Sequence, residues 1–264
     1  MIYQRYGTKA ILLHDAQIVR ELDRSYYCAE SFEYPVALFT LPDGRVAVAH
    51  CPRDYNHLEI EVATTGESLS SRVEADVDFF HSRLSTSSDG LMLASAGWVW
   101  HPFSTVHVFD VLLALSDSKH LGGSGLVSVC AEVDSVCFDA NGDLIVATTG
   151  AEALDDVFGD QPLPLHIGVW SRSENRWRTR VAVDAPIGTM MPIGDTHVVS
   201  FHGNPKLVDH RSGKVEHIWS DIPSSTRSGA IRSLGDVDRP VAFDSTNRRF
   251  AVADDEFIHV VTLG

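Results

Sequence analysis

One hairpin phrase recurs along this chain and limits what it can fold into. Its clearest copy is Leu41-Pro42-Asp43-Gly44-Arg45-Val46-Ala47-Val48-Ala49-His50. An apolar run through Phe39 ends in a Pro-Asp-Gly turn, which supplies a left-handed backbone position, and Val46 and Val48 then alternate with alanines. The phrase returns at Ser88-Asp89-Gly90-Leu91-Met92-Leu93-Ala94, at Ala140-Asn141-Gly142-Asp143-Leu144-Ile145-Val146-Ala147 and at Ser245-Thr246-Asn247-Arg248-Arg249-Phe250-Ala251-Val252-Ala253. Looser copies begin at Ile193 and Tyr6. With Gly7, Gly44, Gly90, Gly142, Asp195 and Asn247 as marks, the steps are 37, 46, 52, 53 and 52 residues. Strands repeating at this period predict an all-β chain, a single β-propeller domain over residues 1–264. Six blades are expected; the first repeat is short, so five blades plus an irregular segment is the alternative.

The spacing predicts strands over 36–40, 46–50 and 58–62 in the second repeat, and over 91–95 and 106–111 in the third, where a helical turn follows at 112–115. The fourth repeat reads as strands over 136–139, 144–148, 165–170 and 177–183, and the fifth over 197–201, 206–209 and 215–219. The sixth has strands over 241–244, 250–253 and 257–263 and is one strand short. The segment 2–6 either supplies that missing outer strand or opens the first blade as its inner strand.

Composition narrows the partners. Thirty-six acidic against 21 basic residues give a net charge of −15, which argues against nucleic acid or an anionic membrane and leaves basic protein surfaces open. The N-terminus has no apolar core of signal-peptide length, and no later run approaches the ~20 residues of a membrane helix; a cytoplasmic protein, monomeric on its own, is expected. Cys28, Cys51, Cys130 and Cys137 show no CxxC spacing and read as buried free thiols.

At the ends of the third strands, Ile60-Glu61-Val62-Ala63-Thr64-Thr65-Gly66-Glu67, Val106-His107-Val108-Phe109-Asp110 and Leu207-Val208-Asp209-His210-Arg211-Ser212-Gly213-Lys214 resemble the motifs of WD-repeat and YVTN-type β-propellers. No repeat carries the full Gly-His and Trp-Asp pair, and Trp170 is followed by Ser171. The resemblance implies the architecture and a binding role by analogy.

In a four-stranded antiparallel blade the second-to-third connections share a face with the entries to the first strands. That face collects Asp54, Tyr55 and His57; Trp98, Trp100, His101 and Phe103; the acidic stretch with Asp155, Asp156, Phe158 and Asp160; and His202 with Asn204. Long loops on a rigid scaffold are usual binding sites. Trp98 and Trp100, two apart, point the same way in an extended chain and serve either as partner anchors or as a packing lid. Acids precede most first strands, at Glu33, Asp76, Asp78, Asp134, Asp184 and Asp238, and either ring the mouth of the channel or cap backbone.

The chain has no Gly-x-Ser-x-Gly elbow, phosphate-binding glycine loop or His-Glu-x-x-His. The expected function is therefore non-catalytic binding of a basic protein partner through the acidic face, without a cofactor. An inhibitor such as a toxin-neutralising immunity protein is a concrete version. The alternative is a metal-dependent hydrolase like the six-bladed gluconolactonases, with Glu33, Asp134, Asp238, His50 and His202 as ligand candidates.

Overall fold

The computed structural model describes residues 1–71, 76–100, 103–123, 125–151, 160–244 and 247–263. The chain divides into two compact units, Met1–Val129 and Cys130–Gly264, each built from three small antiparallel sheets.

The first unit opens with β1 (Ile2–Tyr3), β2 (Lys9–His14) and β3 (Gln17–Asp23) in that order across one sheet. β1 pairs with β2, Ile2 opposite Ile11, so the N-terminal segment is the inner strand of the first sheet rather than an outer strand of the last. The second sheet is β4 (Val36–Thr40), β5 (Val46–His50) and β6 (Glu59–Val62). The third has a broken inner edge, β7 (Phe79–Phe80) and β8 (Leu84–Thr86), both antiparallel to β9 (Met92–Val99), which continues into β10 (Phe103–Asp110). The break is a bulge at His81-Ser82-Arg83, held by the Ser95 hydroxyl, which lies 3.1 Å from His81 Nδ1 and accepts the Ser82 N–H at 3.2 Å. The expected helical turn is α1 (Val111–Ser116), whose N-cap Asp110 accepts the Leu113 N–H at 3.0 Å.

The second unit holds two four-stranded sheets and one three-stranded sheet. They are β11 (Val133–Phe138), β12 (Leu144–Thr148), β13 (His166–Ser171) and β14 (Arg176–Ala182); then β15 (Met190–Ile193), β16 (His197–Ser200), β17 (Lys206–Asp209) and β18 (Val215–Ile218); then β19 (Val241–Asp244), β20 (Arg249–Ala253) and β21 (Ile258–Thr262).

The recurring turn works as its sequence requires. Gly44, Gly90 and Gly142 take φ of +86°, +68° and +77°, where glycine avoids the clash an L side chain meets. The strands that follow bury both faces, because sheets pack on either side. In β5, Ala47 and Ala49 join a cluster with Phe39, Ile60, Leu93 and Phe109, while Val48 points the other way to Leu12, Leu22, Tyr34 and Val36. In β16, Val198 packs with Ile145, Ile167 and Val208, and its neighbour Val199 with Phe201, Phe250 and Val252. Period-two alternation thus fills two interlayer cores from one strand. All four cysteines are free thiols; Cys51 and Cys137 are buried, and burial pushes both thiols upward in pKa, while Cys28 and Cys130 are partly exposed. No described helix is long and apolar enough to cross a membrane.

A charged link joins the first two sheets. Glu61 on β6 accepts a hydrogen bond from Arg20 on β3, and His50 Nε2 lies 3.2 Å from Glu61 Oε2. Burial works against the Glu61 charge, but the bonds from His50 and Arg20 outweigh it and hold the carboxyl at about 2. A depressed carboxylate stabilises the fold above its unfolded pKa, and that contribution fades as pH falls toward the folded value. Acid titration from pH 5 to 2, followed by urea unfolding, is expected to lose about 2 kcal/mol through this link, after discounting for solvent screening. Glu61→Gln should flatten that part of the profile; an unchanged profile would exclude the link as a source of acid sensitivity.

Candidate functional site

The β9–β10 hairpin pairs over eight residues a side, from Met92 opposite Asp110 to Val99 opposite Phe103. It outreaches its neighbours, and its upper end carries the densest aromatic cluster among the described residues. The Phe79-Phe80 doublet sits beside it on β7. Adjacent strand residues point to opposite faces, so Phe79 stacks on His107 at 3.8 Å while Phe80 turns to the other side. There Phe80 stacks on Trp98 at 3.8 Å and on Tyr55 at 4.0 Å, with ring planes within 17° of parallel. Tyr27 extends the pile over Tyr55 at 5.1 Å, and Trp100 lies 5.7 Å from Trp98 and 5.9 Å from Phe80. Phe32 closes one side, edge-on to Phe80 at 5.6 Å. Trp98 is 5% exposed, whereas Tyr27 and Trp100 are 51% and 53% exposed, with Tyr26 standing almost clear of the surface.

The segment bearing Tyr26 and Tyr27 is anchored by one side chain. Arg24 donates from Nε to the Gly7 carbonyl at 2.7 Å, from Nη2 to those of Ala29 at 2.6 Å and Phe32 at 3.0 Å, and from Nη1 to that of Glu33 at 3.3 Å. Its guanidinium also lies 4.7 Å from the Phe32 ring centre. Burial lowers the Arg24 pKa to about 10, so it stays charged at neutral pH. On the far side, the Tyr55 hydroxyl donates to Asp78 at 2.7 Å. Burial first, and the Asp78 carboxylate second, push the Tyr55 phenol up and keep it neutral. Deeper in, burial holds His81 down at about 3, with His107 and His57 adding, and holds His107 at about 4; both are neutral packing groups rather than acid–base candidates.

Several expected residues meet here: Tyr55, Trp98 and Trp100 belong to the pile, with Asp54 beside Tyr55 in the chain. His57 is half-buried, its Nδ1 2.8 Å from Asn56 Oδ1 and 3.9 Å from an Asp54 carboxylate oxygen. Two placements differ from expectation. Trp98 and Phe103, read as loop residues, lie in β9 and β10, because ladder pairing with Phe80 and Ser104 carries β9 past Trp98. Trp98 is therefore the packing lid, and Trp100 alone of the two keeps an exposed ring. Tyr27 and Phe80 were absent from the sequence candidates, although the doublets Tyr26-Tyr27 and Phe79-Phe80 are a visible signal.

His101, Asp155, Asp156 and Phe158 lie outside the described residues. In the second unit Asp160 pairs with Arg180 at 2.7 Å. Asn204 donates to the carbonyls of Ser220 at 3.1 Å and Ile222 at 2.9 Å, and His202 bridges to Ser225 while its carbonyl accepts from Lys206. The Asn204 side chain and the His202 backbone thus hold a loop in place.

The alternative ligand candidates are similarly engaged. In the first unit Glu33 accepts from the Tyr3 hydroxyl at 2.9 Å and lies 4.0 Å from Arg5, and His50 is buried against Glu61. In the second, Asp134 accepts three backbone N–H groups, and Asp238 is partly buried with partners of its own. Among the described residues, no three His, Cys, Asp or Glu side chains gather as a metal site.

No protein-family model matches the chain, and no curated protein matches it. Among solved structures it is similar to the hydrazine synthase of Kuenenia stuttgartiensis, with a TM-score of 0.51 and 14% identity over 84% of this chain and 55% of that one. It is also similar to the dihydro-heme d1 dehydrogenase NirN in complex with DHE, with a TM-score of 0.56 and 12% identity over 94% of this chain and 47% of that one. The architecture is β-propeller-like. This chain spans about half the length of those two proteins, and likeness at such identity carries the fold alone. It does not extend to the WD-repeat or YVTN-type families. In this propeller-like setting the core of the pile, Phe80 and Trp98, lies in β7 and β9, while its half-exposed rings, Tyr27 and Trp100, lie in turns.

Proposed function

We propose that this chain is a non-catalytic propeller module that binds a protein partner with a basic surface through the aromatic face around Phe80. The observation that carries the reading is the pair of half-exposed rings, Tyr27 and Trp100, set on a stack whose Tyr55 hydroxyl is bonded to the Asp78 carboxylate. Half-buried aromatic anchors beside polar groups are the usual hot spots of interfaces, and a Lys or Arg of a partner gains both cation–π and charge attraction there. The net charge of −15 favours fast encounter with a basic surface. A stoichiometric inhibitor of a basic protein, such as an immunity protein, suits these features. The six sheets are read as six blades, a count supported by the three-stranded antiparallel sheet that the first repeat forms.

Titration with arginine-rich and aspartate-rich 12-residue peptides, read by tryptophan fluorescence, tests the reading. The basic peptides are expected to bind, more weakly at 0.5 M than at 0.05 M salt, and Trp100→Ala to weaken binding about 30-fold, the ~2 kcal/mol of a hot-spot aromatic. Equal binding of both peptides, or no effect of Trp100→Ala, would overturn it.

A further inference from the structure

The outer strand of a sheet offers unpaired backbone groups to other chains, and folded proteins guard it with charge or cover. Five of the six sheets follow that rule. β3 carries Arg20, Glu21 and Asp23; β14 carries Arg176, Arg178 and Arg180; and β18 carries Glu216. β6 is bridged to Ser68 through Glu61, and the outer edge of β10 is covered where Val108 O accepts the Leu126 N–H at 2.8 Å. β21 is the exception: Ile258-His259-Val260-Val261-Thr262 has no acid, lysine, arginine or proline, and Ile258 and Val260 are 72% and 61% exposed.

We propose that β21 pairs antiparallel with β21 of a second copy of this chain about a two-fold axis at Val260. The ladder sets which groups are free. The Leu263 N–H bonds Arg248 O, and Phe257 O accepts the Asp254 N–H, so in β21 the odd-numbered residues bond inward to β20 and Ile258, Val260 and Thr262 turn their N–H and C=O outward. About a dyad at Val260, Val260 faces itself and Ile258 faces Thr262 of the second copy. Each pair exchanges both backbone bonds, and each joins β-branched side chains, which suit cross-strand contact. The same register sets Phe257, itself well exposed, against Leu263 of the second copy.

Charge selects this occupant over a foreign strand. Asp254 is held by His259 at 2.7 Å, and Arg249 by Asp244 at 2.9 Å. Exposed Asp255 and Glu256 remain just ahead of the strand, and exposed Arg248 beside its end. Antiparallel pairing of two copies brings each Glu256 alongside the Arg248 end of the other, twice by symmetry. A parallel arrangement would put Glu256 next to Glu256.

Sedimentation velocity on the full chain from 10 to 500 µM is the test. The parent protein is expected to shift from monomer toward dimer as concentration rises, and Val260→Lys, at an exposed position that leaves the core intact, to abolish the shift by facing like charges across the axis. Val260→Cys should give a disulfide-linked dimer on mild oxidation, since opposed hydrogen-bonded residues lie within disulfide reach. Ile258→Cys and the parent with its four native thiols should not. A monomer at every concentration, a dimer indifferent to Val260→Lys, or linking through Ile258→Cys as efficient as through Val260→Cys would overturn the proposal.

Discussion

Replacing Asp134 with alanine is expected to lower folding stability by about 3–5 kcal/mol, enough to leave much of the chain unfolded at 37 °C. Asp134 is 1% exposed and accepts hydrogen bonds from the N–H groups of Ile187 at 3.2 Å, Gly188 at 2.7 Å and Gly229 at 3.0 Å. It thereby ties β11 to the entry into β15 and to the segment after β18. Alanine would strand three buried donors, and each unsatisfied donor costs about 1–3 kcal/mol. The Ser200 hydroxyl, which donates to Ile187 O at 2.7 Å, holds the same loop from a second side and offsets part of the loss. Asp134→Asn keeps one acceptor oxygen and should lose about half as much. Urea unfolding of the three proteins reads the series directly; an alanine variant within 1 kcal/mol of the parent would show that the clasp contributes little.

Asp134 also shows where reading by sequence stops. The spacing flags it as an acid just ahead of an inner strand, open to either a channel-mouth or a backbone-cap role. The structure places it inside β11, at a bulge: Val133 pairs with Thr148 and Ser135 with Ala147, leaving Asp134 as the extra residue. A bulge re-aims one side chain without changing the residues around it, so no pattern in the chain announces it.

The hairpin phrase, by contrast, is legible because its information is local. Glycine at the turn and period-two alternation locate 36–40, 46–50, 206–209 and 241–244 with the bounds that β4, β5, β17 and β19 take. β7 and β8 escape because the bulge at His81-Ser82-Arg83 breaks their alternation, and β15 because Met191-Pro192 disguises it. The aromatic face is only half legible for a different reason. Tyr27, Tyr55, Phe80 and Trp98 are far apart in sequence, and stacking between them is decided by which sheets become neighbours. The Trp98/Trp100 pair points to the hairpin that carries the stack, but nothing in spacing says that Trp98 closes the stack while Trp100 stays open.

Gly97→Ala is expected to damage both the fold and this face, although it adds one methyl group. Gly97 sits in β9 opposite Thr105, and a Cβ there would lie 1.9 Å from the Phe80 carbonyl oxygen and 2.7 Å from the Phe79 ring. The obstacle is backbone, so no side-chain rotation relieves it; β7 must move off β9. Overpacking of this kind costs about 2–3 kcal/mol. Because β7 carries Phe80, the same shift withdraws the ring sandwiched between Tyr55 and Trp98, and Trp100 loses one of its two supports. Near-ultraviolet circular dichroism from the stacked rings should fall together with the urea midpoint, and binding of the arginine-rich peptides should weaken beyond what lost stability alone explains. Gly123→Ala in the same unit is the control, since a Cβ there has no heavy atom within 4 Å and should leave all three readings unchanged. A Gly97→Ala protein that keeps the parent spectrum and midpoint would mean that β7 accommodates the methyl group freely, and that the stack is not held in place by its contact with β9.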